Sequence, residues 1–477
     1  MKKILLGLAL FLGVVVFLSG APRDDLAKRI DAILGRPGLK KTLFSVRVVR
    51  CGTGDVVYER NPHLALLPAS NMKIVTSAAA LEHLGPDFAF VTQVGLCGDS
   101  LVIIGSGDPL LGDKEKPFRK GRSPQTIIQN IVTRLKEMAV TSVSDILLDT
   151  SIFDNQRVHP TWPPNQLLQK YACEVSGLNY NGNCVDISAA NEKGKVRLYL
   201  DPPTHYIRLV NTLVPGPRGQ NWFSVERTDA PGCLLVHGHC ANWAGPYSVA
   251  VENPALFFGH LLEESLSGAG IRVKGQVREQ PSPGDCEFGL VAEFRTSIVD
   301  CLQRMNKDSL SLAAEALFKR LGAEANPNGR PGSWEGGSRV LSECLRSLGV
   351  ADDEFVVADG SGLSRDNRLS AAALTRVFVH LSTGPHWEIF KSSLAVGGLD
   401  GTIENHFLEK KYRGRVLAKS GYIQAVRALS GVVRTDHGDY IFSFLANRAG
   451  NGARSAIDAV VKAIVDWGGK APVSKRK

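Results

Sequence analysis

The chain has 477 residues, of which 44% are hydrophobic and 22% charged, and it carries a formal net charge of +9. This composition is that of a globular protein and excludes an intrinsically disordered chain. The length predicts two or three domains with enough residues for a substantial core. The positive charge favours solubility or a weak association with anionic polymers or lipid surfaces, and no nucleic-acid-binding motif accompanies it.

The extreme N-terminus has the plan of a secretory signal. Two lysines precede an apolar run from Ile4 to Leu18, and small residues follow up to Ala21. We therefore expect residues 1–21 to be a signal peptide and the protein to be exported to the periplasm or cell envelope. Retention of the segment as a membrane anchor stays open because Pro22 disfavours cleavage after Ala21, although the apolar run is short for a membrane span.

In chain order, the elements near the N-terminus are a helix, a hairpin and a second helix. The apolar spacing predicts them at 26–34, at 43–49 with 56–58, and from Ser70 to Gly85. The last part of the chain is predicted to contain helices at 312–321, 371–381 and 453–467 and strands at 415–420, 427–434 and 440–447. Helices that flank an antiparallel sheet built from both ends of the chain predict one α+β domain.

The middle of the chain differs from both ends in its pattern of predicted strands and helices, and it is predicted to be an insertion. Two buried-type strands, at 101–104 and 145–148, surround a helix at 126–138. A strand-rich segment follows, with predicted strands at 196–200, 233–237 and 247–251 and a helix at 255–266. The expected domains are the α+β domain at 22–86 and 291–470, a β-rich insert at 87–97 and 153–290, a small α/β insert at 98–152 and a basic tail at 471–477.

The chain has nine cysteines, so at least one is unpaired or pairs between chains. Cys173 with Cys184 and Cys233 with Cys240 are close enough in sequence to form small disulfide loops. The alternative is that most of the cysteines are small buried apolar residues. The His-Gly-His-Cys sequence at 237–240 suggests a metal cluster, but strand alternation separates its ligands and no carboxylate lies nearby, so no metal site is expected.

Three short motifs carry the chemistry. Ser70-Asn71-Met72-Lys73, Ser309-Leu310-Ser311 and Lys419-Ser420-Gly421 have the order of the S-x-x-K, S-x-N and K-T-G motifs of serine acyl-transfer enzymes. Residues three apart on a helix share a face, so Lys73 is placed to take the proton of Ser70. That lysine must be neutral when it acts. Burial lowers a lysine pKa, and Lys419 is the natural second cation if the motifs converge.

Several further segments, in their order along the chain, resemble those of a known family. They are Leu67–Ile74, Gly105–Pro109, Asp149–Asp154, Val175–Asn181, Met305–Glu315, Asp359–Arg365 and Gly398–Thr402. Together with the three motifs they resemble the D-alanyl-D-alanine carboxypeptidase/endopeptidase family, the low-molecular-mass penicillin-binding proteins with inserted domains. The resemblance spans residues 25–467. It implies a penicillin-binding, serine β-lactamase-like α+β fold, an antiparallel sheet flanked by helices, with an inserted α/β and β-rich region.

The resemblance also implies roles for the motif residues. Ser70 would be the acylated nucleophile, Lys73 its base and Ser309 a proton relay toward the leaving group. The third motif would bind the terminal carboxylate of the substrate through Lys419, Ser420 and Gly421. The backbone N–H groups of Ser70 and Tyr422 would form the oxyanion hole. Lys307 would add positive potential or be a solvated surface lysine.

Two positions depart from the family pattern. Ser420 replaces a threonine but keeps a hydroxyl that can hydrogen-bond the substrate carboxylate. Ser311 replaces an asparagine, whose amide both donates and accepts and which contacts the substrate amide and the motif lysine. A serine at this position is shorter, so it reaches those groups through water or leaves the contacts unmade.

The interval between Ser70 and Ser309 exceeds two hundred residues, which is too long for a compact β-lactamase. We expect a serine D-Ala-D-Ala carboxypeptidase that acts on peptidoglycan stem peptides and is covalently inhibited by β-lactam antibiotics. Endopeptidase action on cross-links stays open, and neither a metal nor an organic cofactor is expected. The insertion is expected to supply neither nucleophile, base nor oxyanion donors. The alternatives are a catalytically weakened cell-wall-binding protein and, third, a β-lactamase.

Overall fold

A computed structural model describes residues 21–114, 124–326 and 329–468. The predicted basic tail and, except for Ala21, the predicted signal peptide lie outside the described residues. The helices are α1 (Ala21–Leu34), α2 (Met72–His83), α3 (Pro124–Glu137), α4 (Pro254–Gly268), α5 (Ile298–Lys307), α6 (Ser311–Glu324), α7 (Trp334–Ser347), α8 (Ala371–Thr383), α9 (Trp387–Ser393) and α10 (Ala453–Gly468).

The strands range from two to ten residues in length and fall into several sheets. They are β1 (Leu43–Arg50), β2 (Val56–Arg60), β3 (Ala89–Cys97), β4 (Ser100–Ile104), β5 (Ser142–Val143), β6 (Ile146–Asp149), β7 (Cys184–Glu192), β8 (Lys195–Asp201), β9 (Arg208–Asn211), β10 (Val214–Pro215), β11 (Asn221–Arg227), β12 (Cys233–Cys240), β13 (Trp243–Ala250), β14 (Arg272–Val273), β15 (Val277–Glu279), β16 (Phe288–Ser297), β17 (Phe355–Val356), β18 (Arg368–Leu369), β19 (Ala395–Val396), β20 (Val416–Ile423), β21 (Val426–Thr435) and β22 (Gly438–Asn447). Among the described residues, no helix is both long enough and apolar enough to cross a bilayer.

Both ends of the chain build one antiparallel sheet of six strands, in the order β19-β20-β21-β22-β1-β2. Strand β1 pairs with β22 over its whole length, from Leu43 opposite Asn447 to Arg50 opposite Tyr440. Alternating side chains bury both faces of this sheet. One face packs with α1 and α10 into a core that contains Ile30 and Phe442. The other face packs against a helical layer that includes α2, α5, α6 and α8. The predicted α+β arrangement of the chain ends is therefore present.

The middle of the chain forms separate sheets around its own core. A five-stranded sheet has the order β15-β6-β4-β3-β16, in which β4 is parallel to β6 but antiparallel to β3. Strand β3 thus pairs with the small α/β insert, whereas the predicted boundary at residue 97 placed it with the β-rich insert. Strand β16 continues past the predicted boundary at residue 290. Strand pairing depends on residues far apart in sequence. The local hydrophobic pattern therefore revealed neither the partner of β3 nor the full extent of β16. The division of the chain into domains stays a prediction.

The cysteine pairing differs from the small loops considered from the sequence. Cys97 and Cys286 form a disulfide across 189 positions. Their positions are explained by the register of β3 and β16, in which Cys97 lies opposite Phe288. Seven cysteines form no disulfide in the described structure, including all four that were considered for small loops: Cys51, Cys173, Cys184, Cys233, Cys240, Cys301 and Cys344. Six of these seven are buried, as expected for cysteines that act as apolar residues.

Candidate active site

Ser70 and Lys73 lie where a short 3₁₀ turn, Ala69–Asn71, runs into α2. The Lys73 ammonium group, fully buried, lies 3.1 Å from Ser70 Oγ and donates a hydrogen bond to it. The single helical turn between them places nucleophile and base in direct contact, as the motif spacing predicts. No third residue is needed to connect them.

A glycine holds a second loop against this turn. Gly362 has φ +83°, and a Cβ atom there would lie 1.8 Å from the carbonyl oxygen of Ala69. A side chain at this position is therefore excluded both by backbone conformation and by space. The close approach brings the carbonyl oxygen of the preceding residue, Ser361, to 2.9 Å from Lys73 Nζ. The turn at 360–362 thus contributes a backbone acceptor to the base.

The second motif follows α5 and contributes two hydroxyl groups at different distances. Ser309 has φ +59°, a sparsely populated conformation for a serine, and its Oγ accepts a hydrogen bond of 3.0 Å from Lys419 Nζ. Ser311 begins α6, and its Oγ lies 3.5 Å from Lys73 Nζ, at the limit of a hydrogen bond. The serine at 311 reaches the base only weakly, as its short side chain suggests.

The third motif lies on β20. Lys419 is fully buried, and its Nζ also donates to the carbonyl oxygen of Ser420, at 2.8 Å. Ser420 Oγ donates to Thr402 Oγ1 at 2.7 Å, so a residue from the Gly398–Thr402 segment supports it. The backbone of the third motif is also tied to the turn that carries Ser70, since Asn71 Nδ2 donates to the Lys419 carbonyl at 3.2 Å.

Gly421 and Tyr422 continue β20 past the nucleophile. A Cβ atom at Gly421 would lie 2.9 Å from the carbonyl oxygen of Pro68, so only glycine lets the strand approach the turn this closely. The Tyr422 side chain is 64% exposed, and the Arg427 guanidinium lies 4.0 Å from its ring centroid. The oxyanion hole proposed for the N–H groups of Ser70 and Tyr422 stays a prediction.

Comparison with known proteins identifies the family. The D-Ala-D-Ala carboxypeptidase 3 (S13) family matches residues 26–467. The chain belongs to this family. A D-alanyl-D-alanine carboxypeptidase of Actinomadura sp. (strain R39) is 31% identical over 487 residues, which cover 96% of this chain and 88% of that protein. The carboxypeptidase DacB of Mycolicibacterium smegmatis is 26% identical and covers 96% of this chain and 88% of its own length.

The fold is shared with a solved structure of a penicillin-binding protein. The crystal structure of penicillin binding protein 4 (dacB) from Haemophilus influenzae superposes with a TM-score of 0.77 at 21% identity, covering 94% of this chain and 99% of that one. The predicted family, the penicillin-binding α+β fold and the assignment as a serine-type D-Ala-D-Ala carboxypeptidase are confirmed.

In this S13 site, the pKa values of both Lys73 and Lys419 are lower than those of ordinary lysines. Burial lowers the pKa of Lys73 to about 8, and the carboxylates of Glu315 and Asp359 oppose the shift. Burial also lowers the pKa of Lys419 well below its ordinary value; the charge of Lys73 adds to the shift and Asp308 opposes it. A lysine with a pKa near 8 is neutral in a useful fraction of molecules, which a base requires.

Lys307 is neither a free cation nor a solvated surface residue. Its Nζ lies 2.6 Å from Asp400 Oδ2, and its side chain is 16% exposed. The pair connects the end of α5 to the segment that carries Thr402. Its positive charge is locally compensated, so a structural role for Lys307 fits the contacts better than a contribution to the potential of the site.

Sequence patterns did not single out the polar groups beneath the base. Asp359 accepts from the N–H groups of Gly362 and Ser364, at 2.7 and 2.6 Å, and from Trp162 Nε1 at 2.9 Å. Trp162 lies in the predicted insertion, and this contact supports the loop that carries Ser361. Glu315 is buried on the other side of the same loop. Both carboxylates lie inside segments that carry the family resemblance, and this location is the sequence feature that could have identified them as part of the site.

Proposed function

We propose that the protein removes the terminal D-alanine of peptidoglycan stem peptides through an acyl-enzyme at Ser70. The observation that carries the proposal is the hydrogen bond of 3.1 Å between the buried Lys73 ammonium group and Ser70 Oγ. Lys73, once neutral, takes the proton from Ser70 Oγ while that oxygen attacks the carbonyl carbon of the penultimate D-alanine. The peptide C–N bond then breaks, and D-alanine leaves after its nitrogen receives a proton.

Ser309 is proposed to deliver that proton, because its Oγ accepts a hydrogen bond of 3.0 Å from Lys419 Nζ of the third motif. We propose that the third motif holds the substrate's terminal carboxylate through Lys419, Ser420 and Gly421. The oxyanion is proposed to accept hydrogen bonds from the backbone N–H groups of Ser70 and Tyr422. Water then hydrolyses the ester at Ser70. The same steps would open a peptide cross-link that ends in the same D-Ala bond, so endopeptidase action belongs to the proposal.

β-Lactam antibiotics are proposed to acylate Ser70 and remain bound, since their ring carbonyl presents the same electrophile. A structure of the Haemophilus influenzae protein is complexed with a β-lactam. We also propose export to the periplasm or cell envelope, on the basis of the lysines and apolar run at 2–18, and weak attraction to anionic polymers or lipid surfaces from the net charge of +9.

Intact-mass spectrometry after incubation with penicillin tests the nucleophile. The protein should gain the mass of the drug, and Ser70→Ala should gain nothing while keeping its circular dichroism spectrum. Equal labelling of the variant would overturn the assignment. D-Alanine release from a D-Ala-D-Ala stem-peptide mimic then tests turnover. Labelling without D-alanine release would favour a cell-wall-binding protein whose catalysis is weakened by Ser311. Rapid hydrolysis of the penicillin would favour a β-lactamase.

A further inference from the structure

A buried carboxylate lies under the base, and no role in the proposed mechanism uses it. Glu315 is on α6, one turn beyond Ser311, and is fully buried. Its oxygens accept hydrogen bonds from the N–H groups of Ser361 and Gly360, at 2.8 and 3.2 Å, and from Trp334 Nε1 at 2.8 Å. Three donors around one carboxylate make a rigid arrangement, because removing any of them leaves a buried polar group unsatisfied.

The contacts of Glu315 lead directly to Lys73 through a single residue. The N–H of Ser361 donates to Glu315, and the carbonyl oxygen of Ser361 accepts from Lys73 Nζ at 2.9 Å. The position of this carbonyl is therefore fixed by the carboxylate on the opposite side of the loop. A shift of Glu315 would move the acceptor that orients the base.

This arrangement matters more here because of the serine at 311. Ser311 Oγ lies 3.5 Å from Lys73 Nζ, so the Ser361 carbonyl, at 2.9 Å, is the closer of the two. We propose that Glu315 is a positioning residue for Lys73: it fixes the Ser361 carbonyl that holds the base beside Ser70, and so supplies orientation that the side chain at 311 gives only weakly. The proposal rests on the proposed function of Lys73 as the base.

The charged groups around Glu315 determine the sign of its electrostatic effect. Lys73 faces it from α2, Asp359 from the loop and Lys319 from its own helix, and Trp334 on α7 is a neutral donor. Burial raises the pKa of Glu315 to about 7, and Asp359 adds to the shift. The three N–H groups that donate to its oxygens suit the ionised carboxylate. Its negative charge favours the protonated form of Lys73, so removing that charge lowers the pKa of the lysine.

The test is the pH dependence of acylation of the full-length protein by penicillin, measured by stopped flow. Glu315→Gln removes the charge and keeps the approximate shape of the side chain. The ascending limb of the plot of acylation rate against pH should move to lower pH by about one unit. This is the size of pKa shift that one neighbouring opposite charge produces. The plateau rate should fall about tenfold to a hundredfold because the base is held less accurately.

Two further variants separate position from charge and from folding. Glu315→Asp keeps the charge but shortens the reach, so its plateau should fall while its limb stays close to that of the wild type. Glu354→Gln is the matched control. Glu354 is also a buried glutamate, but its partners are the hydroxyl of Ser370 and the ring of His63, which lie outside the loop that carries Ser361. This control should alter stability and leave the limb in place. An unmoved limb in Glu315→Gln, or a limb that moves equally in the control, would overturn the proposal.

A double-mutant cycle tests the link to Ser311. If an asparagine at 311 gives Lys73 a second firm partner, Glu315→Gln should cost a smaller factor in plateau rate when combined with Ser311→Asn than alone. Equal factors in both backgrounds would refute the link. Failure of the wild type to take up penicillin at Ser70 would instead refute the proposed function, so the two failures are distinguishable.

Discussion

Lys419 Nζ donates a hydrogen bond of 3.0 Å to Ser309 Oγ, although 110 positions separate the two residues. Because the lysine occupies a lone pair of the serine oxygen, the hydroxyl hydrogen of Ser309 is free to point toward another acceptor. That is the hydrogen which a proton relay would pass to a leaving nitrogen. The contact therefore gives Lys419 a second use besides attraction of a carboxylate, since it also orients the hydroxyl of the second motif.

Lys419→Ala should discriminate between substrates with and without a terminal carboxylate. We expect kcat/KM for a D-Ala-D-Ala peptide to fall further than kcat/KM for its C-terminal amide, by about 1.5 to 3 kcal/mol, because a charge-assisted hydrogen bond is lost only with the acid. Lys307→Ala is the matched control, as Lys307 pairs with Asp400 and should affect both substrates alike. Equal losses on the acid and the amide in Lys419→Ala would contradict the assignment of the carboxylate contact.

The acylation rate should depend on pH through Lys73. The pKa of this lysine is lowered to about 8, and only its neutral form accepts the proton of Ser70. The rate should therefore fall about tenfold per pH unit well below pH 8 and level off above it. Stopped-flow acylation by penicillin over a pH series measures this profile, with circular dichroism to show that the fold persists. A rate independent of pH in this range would exclude Lys73 as the base.

Ser311→Asn should raise the rate of acylation by a D-Ala-D-Ala peptide. Ser311 Oγ lies 3.5 Å from Lys73 Nζ, and an amide reaches further than a hydroxyl. One recovered hydrogen bond contributes about 0.5 to 1.5 kcal/mol, hence roughly a twofold to tenfold gain. Stopped-flow comparison of the two proteins measures the change. A slower variant would mean that the pocket has adapted to serine and that the larger side chain overpacks it.

Asp113→Ala should destabilise the protein strongly although Asp113 lies in the predicted insertion. Arg304 on α5 is almost fully buried and forms two hydrogen bonds with Asp113, at 2.6 and 3.2 Å, and one with Asp308 at 2.6 Å. Removing one partner of a buried ion pair typically costs about 3 to 5 kcal/mol. Urea unfolding followed by circular dichroism measures the loss.

The control for this prediction is an exposed ion pair of similar geometry. Arg346 and Asp352 lie 2.7 Å apart, but their side chains are 55% and 74% exposed. Asp352→Ala should therefore change the free energy of unfolding by no more than about 1 kcal/mol. If the two variants were equally stable, the buried pair would not hold the insertion against α5.

The sequence predicted the elements with strong periodicity and the contacts within one helix. Helix α2 and strands β20 to β22 were expected close to their observed bounds, and the contact of Lys73 with Ser70 follows from helical spacing alone. The second firm acceptor of Lys73, however, is the backbone carbonyl of Ser361. Every residue type carries such a group, so no side-chain pattern marks it.

Other differences arise because pairing across the chain has no local signature. The α5 helix that ends just before Ser309 was not predicted, and its short length gives few periodic positions. The disulfide between Cys97 and Cys286 depends on the register of two strands far apart in sequence. The contact of Trp162 with Asp359 likewise joins two segments that are almost two hundred positions apart, and neither segment indicates the other.

The pairing of β1 with β22 also sets an order of events during synthesis. The segment with Ser70 and Lys73 emerges early, but β1 has no partner on that side until residues 438–447 are made. Lys419 and its strand are also late, so the buried site around Lys73 cannot close on a growing chain. The intervening sheets have their own core and can fold meanwhile. We therefore expect a nascent chain to carry Ser70 and Lys73 for most of synthesis without the late residues, such as Lys419, that complete the site.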